Sequence, residues 1–193
     1  MFKEIKMENM KGCCKSCEDY FGRRKTMFEE VKIEKVNGYC GICEDYAKEH
    51  LTTPTKIAVM SCEGACARGE VSRRAANMIA HKISKENTVR ICLGGAFTKE
   101  GGQRNLVQTS HKILAIEGCF INCSSRMMKG VLPEITPLVI NADNLHDTEL
   151  PFGIDEVSDE DFNALAKTVA EKIVEKYINS DCEPNASNEG RCC

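Results

Sequence analysis

The stretch KILAIEGCFINC, residues 112–123, decides the fold predicted for this chain. Its apolar run at residues 113–116 has the length of a buried strand and stops at an acidic residue and a glycine. Cys119 and Cys123 then follow, with three residues between them. A helix predicted to begin at about Phe120 would place both thiols near its positive end, where the thiolate is favoured. We therefore expect a strand that carries two metal-binding or redox-active thiols at its carboxyl end.

The same arrangement occurs earlier in the chain. The apolar run KIAVM, residues 56–60, leads to Cys62 and Cys66, again with three residues between the two cysteines. Because the carboxyl ends of parallel strands share one edge of a sheet, where ligands bind, the two pairs are predicted to converge on one site. A third β-rich run, TVRICL at residues 88–93, brings Cys92 and two glycines to the same edge. Cys92 is either a fifth thiol of that site or a buried strand cysteine.

The first fifty residues contain a repeat of the form G-x-C-x-x-C-E-D-Y, at residues 12–20 and 38–46. Two such pairs supply the four ligands of a tetrahedral structural zinc, and an iron–sulfur cluster or redox dithiols are the alternatives. The predicted ligands of this module are Cys14, Cys17, Cys40 and Cys43.

Strand and helix signals alternate through the rest of the chain, which predicts an α/β domain with a mostly parallel sheet and flanking helices in a Rossmann-like or flavodoxin-like layering. Helices are predicted over residues 70–85, 103–110 and 120–129, with Gly130 as a C-terminal cap, a fourth strand over residues 138–142, and a long helix after Ser158. The predicted domains are a cysteine-rich module at residues 1–50, the α/β domain at 51–180 and a flexible tail at 181–193. The tail contains three candidate redox thiols, or three incidental ones, namely Cys182, Cys192 and Cys193.

The composition of the chain indicates which cellular compartment and which partners to expect. The 193 residues include 13 cysteines, an odd number, and the chain begins without an apolar leader. Reduced thiols in a cytoplasmic protein are therefore expected rather than a secreted disulfide framework. The net charge of −3 and the interspersed charges predict neither a nucleic-acid nor a membrane partner. Of the four histidines, only His146 follows a predicted strand on the ligand edge, so it is the one histidine to test as a ligand.

Three motifs within residues 56–143 resemble those of the DGC-domain family, which is associated with zinc binding. They are SCEGAC at residues 61–66, CLGG at residues 92–95 and EGC at residues 117–119. The last stands where the family has Asp-Gly-Cys, so Glu117 replaces the aspartate, and the first cysteine pair is one residue longer than in the family pattern. The resemblance implies the α/β fold and cysteine ligands, and it does not extend to the repeat or the tail.

Two functions from different classes fit these patterns. The first is a cytoplasmic metal-binding protein in which Cys62, Cys66, Cys119 and Cys123 hold one zinc, Cys92 serves as an exchange ligand, and the role is metal delivery or sensing. The alternative is an iron–sulfur or dithiol–disulfide protein, an electron carrier or oxidoreductase with a protein or redox partner. The sequence contains no phosphate-binding loop, dinucleotide fingerprint or nucleophile elbow, so none of these motifs assigns an enzymatic reaction. Whether the protein is an enzyme is left open by the sequence.

Overall fold

The structure is a computed structural model that describes residues 38–179. The first copy of the repeat, with Cys14 and Cys17, and the tail with Cys182, Cys192 and Cys193 lie outside the described residues. The zinc site predicted to join the two copies, and the redox role predicted for the tail, therefore stay predictions.

A four-stranded parallel sheet forms the centre of the described part, as predicted for an α/β protein. Its strands are β1 (Ile57–Ser61), β2 (Thr88–Arg90), β3 (Ile113–Glu117) and β4 (Leu138–Asn141), in the spatial order β2-β1-β3-β4. Ala58 pairs with Val89 of β2 on one side and with Ile113 of β3 on the other. This order is that of the flavodoxin-like doubly wound sheets.

Helices cover both faces of this sheet. They are α1 (Gly41–His50), α2 (Ala67–Met78), α3 (Leu93–Phe97), α4 (Gly102–Thr109), α5 (Cys123–Val131) and α6 (Asp159–Ile173). Single π-helical turns extend α2 over Ile79–Ile83 and α6 over Val174–Ile178, and 3₁₀ turns occupy Ala142–Leu145 and Ile154–Glu156.

The alternation of strand side chains divides the core into two halves. Ile57 and Val59 of β1 pack with α2 and α6 on one face, whereas Ala58 and Met60 pack with α1, α3, α4 and α5 on the other. Because both faces are covered, the strands consist of nearly continuous apolar residues, which is why short apolar runs identified them in the sequence.

The start of α6 agrees with its sequence signal. The Ser158 side chain accepts a hydrogen bond from the Asp161 backbone N–H at 3.1 Å, which satisfies one of the donors that a helix leaves free at its first turn. Phe162, Val169 and Ile173 then face the core as one stripe.

Four predicted boundaries were wrong. The helix predicted from residue 70 begins at Ala67, three residues earlier. The helix after β3 begins at Cys123 rather than at about Phe120, because Asn122 has a left-handed backbone, with φ 55°, that precedes the first helical residue. The strand predicted through Cys92 ends at Arg90, since residues 93–97 form α3. Gly130 lies inside α5 and does not cap it.

None of the helices described between residues 38 and 179 has the length and apolar character needed to cross a membrane.

Candidate thiol site

The strand order makes a topological switch point at the carboxyl ends of β1 and β3, and we call this region the crevice. The chain leaves β1 for α2 on one face of the sheet and leaves β3 for α5 on the other face. In open parallel sheets ligands bind where neighbouring strands send their connections to opposite faces. Cys62 follows β1 directly and Cys119 follows β3 by two residues, so both lie at this switch point.

Gly118 allows β3 to end directly against the start of α2. A Cβ at this position would lie 2.7 Å from the Gly69 backbone nitrogen and 2.8 Å from the Arg68 carbonyl oxygen. Gly69 is equally confined, since its Cβ would lie 2.9 Å from the Gly64 carbonyl oxygen. Gly118 of the EGC motif and Gly69 in the first turn of α2 are therefore positions at which two backbone segments approach too closely for any side chain.

The crevice brings Cys62 and Cys123 into direct contact. Their thiols are hydrogen-bonded to each other, and the Gly64 N–H donates to the Cys62 Sγ at 3.4 Å. The Cys62 side chain is buried, with 4% of its residue surface exposed. Cys119 lies close enough to Cys123 to act on it electrostatically. Cysteines from two separate motifs thus lie side by side at the carboxyl edge of the sheet.

Cys66 takes a different place. It is the N-cap residue of α2, and no hydrogen bond joins its thiol to another cysteine within residues 38–179. It lies at the same edge because α2 begins there, one loop after Cys62.

Burial and nearby negatively charged groups keep the thiols of Cys62 and Cys123 protonated. Burial raises the pKa of Cys62, and the neighbouring Cys123 and Glu117 raise it further, against the opposing effect of N–H groups from Gly64 and Gly118. Burial also raises the pKa of Cys123, as do Glu117 and Cys119. The pair is therefore protonated at neutral pH unless a cation offsets the charge of its thiolates.

Glu117 is a functional residue of the crevice that the sequence did not identify beyond its place in the motif. Its side chain is fully buried at the end of β3. One carboxylate oxygen accepts from the Ser124 hydroxyl at 2.7 Å and the Ser125 N–H at 2.8 Å, and the other accepts from the Ser124 N–H at 3.2 Å. The carboxylate thus satisfies the free donors in the first turn of α5 and fixes the start of the helix that carries Cys123.

A second group of thiols consists of Cys40, Cys43 and Cys92. The Cys43 thiol is hydrogen-bonded to the Cys40 thiol and to the Cys92 thiol. Cys40 is the N-cap residue of α1 and Cys92 is the N-cap residue of α3, and both are exposed. Cys92, which was predicted as a fifth thiol of the first site, thus has its hydrogen bond with the second CxxC copy.

The protonation states differ within this second group. Hydrogen bonds from the Cys43 N–H and thiol lower the pKa of Cys40. Burial, together with the neighbouring Cys40 and Cys92, raises the pKa of Cys43 to about 12. Of the two cysteines in this CxxC pair, Cys40 is therefore the one that ionises first.

Gln103 fixes Cys92 relative to Cys43, and no motif marked it in the sequence. Its side chain is 2% exposed, accepts from the Cys92 N–H at 3.1 Å and donates to the Cys43 carbonyl at 3.5 Å. A Cβ on Gly95 would lie 3.0 Å from the Gln103 side chain and 3.6 Å from the Cys43 Sγ, so this glycine leaves room for the group.

The helix that bears Cys43 is attached to the α/β body by two further contacts. The Glu44 carboxylate accepts from the Gly102 N–H at 2.8 Å, at the start of α4. The Tyr46 hydroxyl accepts from the Arg90 N–H at 3.1 Å, at the end of β2. The C-E-D-Y part of the second repeat copy is thus used for packing as well as for its cysteine.

A metal ion has no ready-made set of ligands here. No group of three or more histidine, cysteine, aspartate or glutamate side chains between residues 38 and 179 is placed to hold one. The donor chemistry nevertheless suits a thiophilic ion, since two thiols are in contact and a third is nearby. His146, the one histidine singled out in the sequence, has a buried Nδ1 without a hydrogen-bond partner.

The fold and the crevice place this chain in a class of protein, the doubly wound parallel α/β proteins that carry cysteines at the switch point between β1 and β3. The DGC domain model matches residues 58–176. The match covers more than half of the chain, and the chain therefore belongs to the DGC-domain family. No curated protein and no solved structure matches the chain.

Proposed function

We propose that the crevice of this DGC domain binds a thiophilic divalent metal ion, with zinc as the expected ion, through Cys62 and Cys123 as the first ligands. The observation that carries the proposal is the direct contact between these two thiols, which come from sequence motifs on two different strands. Cys119 and Cys66 are the further ligands, at the same edge of the sheet.

The charges of the crevice support a cation. Glu117 is fully buried beside the thiols, and ionisation of Cys62 and Cys123 would add two more negative charges. Arg126 is the one basic side chain among the main influences on the pKa of Cys123. It lowers this pKa, and its effect is the smallest of those influences. A bound zinc ion would supply the missing positive charge and polarise whatever ligand completes its coordination.

Metal binding at this site requires the Cys62 and Cys123 thiols to release their protons. Because the pKa values of Cys62 and Cys123 are raised, each thiol must lose a proton before its sulfur can act as a ligand. Cys119 lies in the loop between β3 and α5 and reaches the pair by a change in this loop, which would provide an exchangeable ligand. An exchangeable ligand suits metal delivery or sensing, the roles we assign to the site.

Metal analysis of anaerobically purified protein tests the proposal. The parent for this experiment carries serine at the six cysteines outside residues 38–179, so that only the described thiols remain. We expect about one zinc per chain in the parent. We also expect loss of this zinc in Cys62→Ser and in Cys123→Ser, and weaker retention in Cys119→Ser.

Cys92→Ser is the matched control, since it removes a strand-end thiol of the second group and should leave the zinc content unchanged. Circular dichroism establishes that each variant is folded. A parent without stoichiometric metal, or equal metal in the parent, Cys62→Ser and Cys123→Ser, would contradict the proposal. A brown protein with visible absorbance would assign the crevice to an iron–sulfur cluster instead.

A further inference from the structure

We propose that Cys40, Cys43 and Cys92 form a second functional site, a dithiol–disulfide exchange centre in which Cys40 attacks the disulfide of another molecule and Cys43 resolves the mixed disulfide. This group is separate from the crevice ligands Cys62, Cys66, Cys119 and Cys123, and it gives Cys40 and Cys43 a role different from the zinc ligation predicted for them from the sequence.

The positions of the three thiols support this division of labour. Cys40 is exposed and caps the positive end of the ten-residue helix α1, so a disulfide of another molecule can reach it. Cys43 lies one turn further on, is partly buried, and is hydrogen-bonded to Cys40. The attacking sulfur is thus accessible, and the resolving sulfur is already in contact with it.

Cys92 provides a second partner for Cys43. Cys92 belongs to the α/β body, at the start of α3, whereas Cys43 belongs to α1. The Cys92 thiol is hydrogen-bonded to that of Cys43. The buried Gln103 side chain holds the Cys92 N–H and the Cys43 carbonyl at once. Cys43 can therefore form a disulfide with either neighbour, and a bond to Cys92 would fasten α1 to the start of α3.

The exchange balances in two steps. The Cys40 thiolate attacks one sulfur of a disulfide R–S–S–R, forming Cys40–S–S–R and releasing one R–S⁻. The Cys43 thiolate then attacks the Cys40 sulfur, forming the Cys40–Cys43 disulfide and releasing the second R–S⁻. Two electrons pass from the protein dithiol to the substrate disulfide, and the two thiol protons are released to solvent.

Later steps restore the dithiol. Attack of the Cys92 thiolate on the Cys43 sulfur forms the Cys43–Cys92 bond and frees Cys40 without net electron transfer. An external dithiol reductant then reduces that bond and becomes a disulfide itself.

The chemistry of the substrate is that of a disulfide, and two probes distinguish its source. The parent protein with six replaced cysteines is made metal-free with a chelator, incubated with oxidised glutathione as a small disulfide or with insulin as a polypeptide disulfide, quenched in acid and mapped by mass spectrometry. We expect peptides in which Cys43 is linked to Cys40 or to Cys92, each lighter by two hydrogen atoms. The probe that reacts faster identifies the source.

Variants assign the roles. In Cys43→Ser the glutathione adduct on Cys40 should persist, at least tenfold more abundant than in the parent, because no neighbour resolves it. In Cys40→Ser the rate of oxidation of Cys43 should fall at least tenfold. Asp45→Asn, an exposed change on the same helix, should behave as the parent.

Several outcomes overturn the proposal. One is the absence of any linkage of Cys43 to Cys40 or Cys92 with either probe, and another is an adduct on Cys40 that resolves as fast in Cys43→Ser as in the parent. A third is a metal-free parent that forms no disulfide with either probe and in which added zinc protects all three thiols from alkylation. Failure of the metal proposal is read separately, from Cys62→Ser and Cys123→Ser.

Discussion

At the scale of single residues, Glu117 connects the strand that delivers Cys119 to the helix that begins with Cys123. Its buried carboxylate receives three hydrogen bonds from two consecutive serines. A buried carboxylate in such a position is stabilising because donors at a helix start have no partner within the helix. The longer glutamate side chain, where the family pattern has aspartate, reaches past Gly118 to the first turn of α5.

Replacing Glu117 with glutamine should destabilise the protein. The amide keeps one acceptor oxygen but directs an NH₂ group at an N–H or hydroxyl donor, so at least one charge-assisted hydrogen bond is lost. We expect Glu117→Gln to lower the free energy of unfolding by about 1.5–3 kcal/mol, measured by urea denaturation. The exposed Glu134→Gln is the control and should change it by less than about 0.5 kcal/mol. Equal stability of the two variants would refute the capping role.

At the scale of secondary-structure elements, the approach of β3 to α2 depends on glycine. The first turn of α2 lies against the backbone at Gly118, and nothing larger than hydrogen fits between them. Further along, α2 is joined to α6 by Arg74, whose guanidinium is paired with Glu70 on its own helix and contacts Asp159 and Asn163. The crevice is thus a consequence of how closely the elements around it pack.

Gly118→Ala should therefore disturb the crevice, whereas Gly130→Ala should not. The added methyl at Gly118 meets backbone atoms, which cannot rotate away, so we expect a loss of about 1–3 kcal/mol of unfolding free energy. The methyl at Gly130 meets nothing within 4 Å inside α5 and should stabilise the protein by about 0.4–1 kcal/mol. Urea denaturation of both variants, with zinc content of the folded fraction, checks the pair.

A Gly118→Ala variant that is as stable as Gly130→Ala would show that β3 and α2 can separate freely. In that case the close approach would not be what holds Cys62 against Cys123.

At the scale of the whole described part, two thiol groups lie on the carboxyl-end side of one parallel sheet and differ in their partners. Cys62 lies in the loop after β1 and Cys123 is the first residue of α5, both within the α/β body. Cys40 and Cys43 belong to α1, which is docked through Glu44 and Tyr46. Since Cys43 contacts Cys92, the docking of α1 and the second thiol group depend on each other.

Alkaline pH should weaken the metal-free protein. The pKa values of Cys43, Cys62 and Cys123 are raised in the folded state, to about 12 for Cys43, so folding favours their protonated forms. The stability that they contribute is complete below the unfolded thiol value of 9.0 and is lost as the pH rises from there towards 12. Cys40 acts in the opposite direction, since its pKa is lowered.

Urea midpoints of the reduced, metal-free protein at several pH values between 7 and 11 measure this effect, the range being about two units on either side of the ordinary thiol pKa. Cys43→Ser removes the group with the largest raised value, so its midpoint should fall less steeply with pH than that of the parent. Parallel curves for the two proteins would exclude Cys43 as a source of the alkaline instability.

The sequence by itself determined the sheet and the edge on which the thiols lie. Short apolar runs bounded by glycine and cysteine located β1, β3 and β4, because a strand buried on both faces has a local signature that needs no knowledge of its neighbours. The parallel arrangement then placed Cys62 and Cys119 on one edge, since the carboxyl ends of parallel strands coincide.

Only the tertiary structure decided which thiols are partners. Whether Cys92 meets Cys123 or Cys43 depends on where α1 docks, and that docking rests on hydrogen bonds between residues far apart in the chain, such as Glu44 and Gly102. The start of α5 was decided in the same way, by a left-handed Asn122 and by the buried carboxylate of Glu117. Periodicity reports which face of an element is buried, but it carries no information about the partner that buries it.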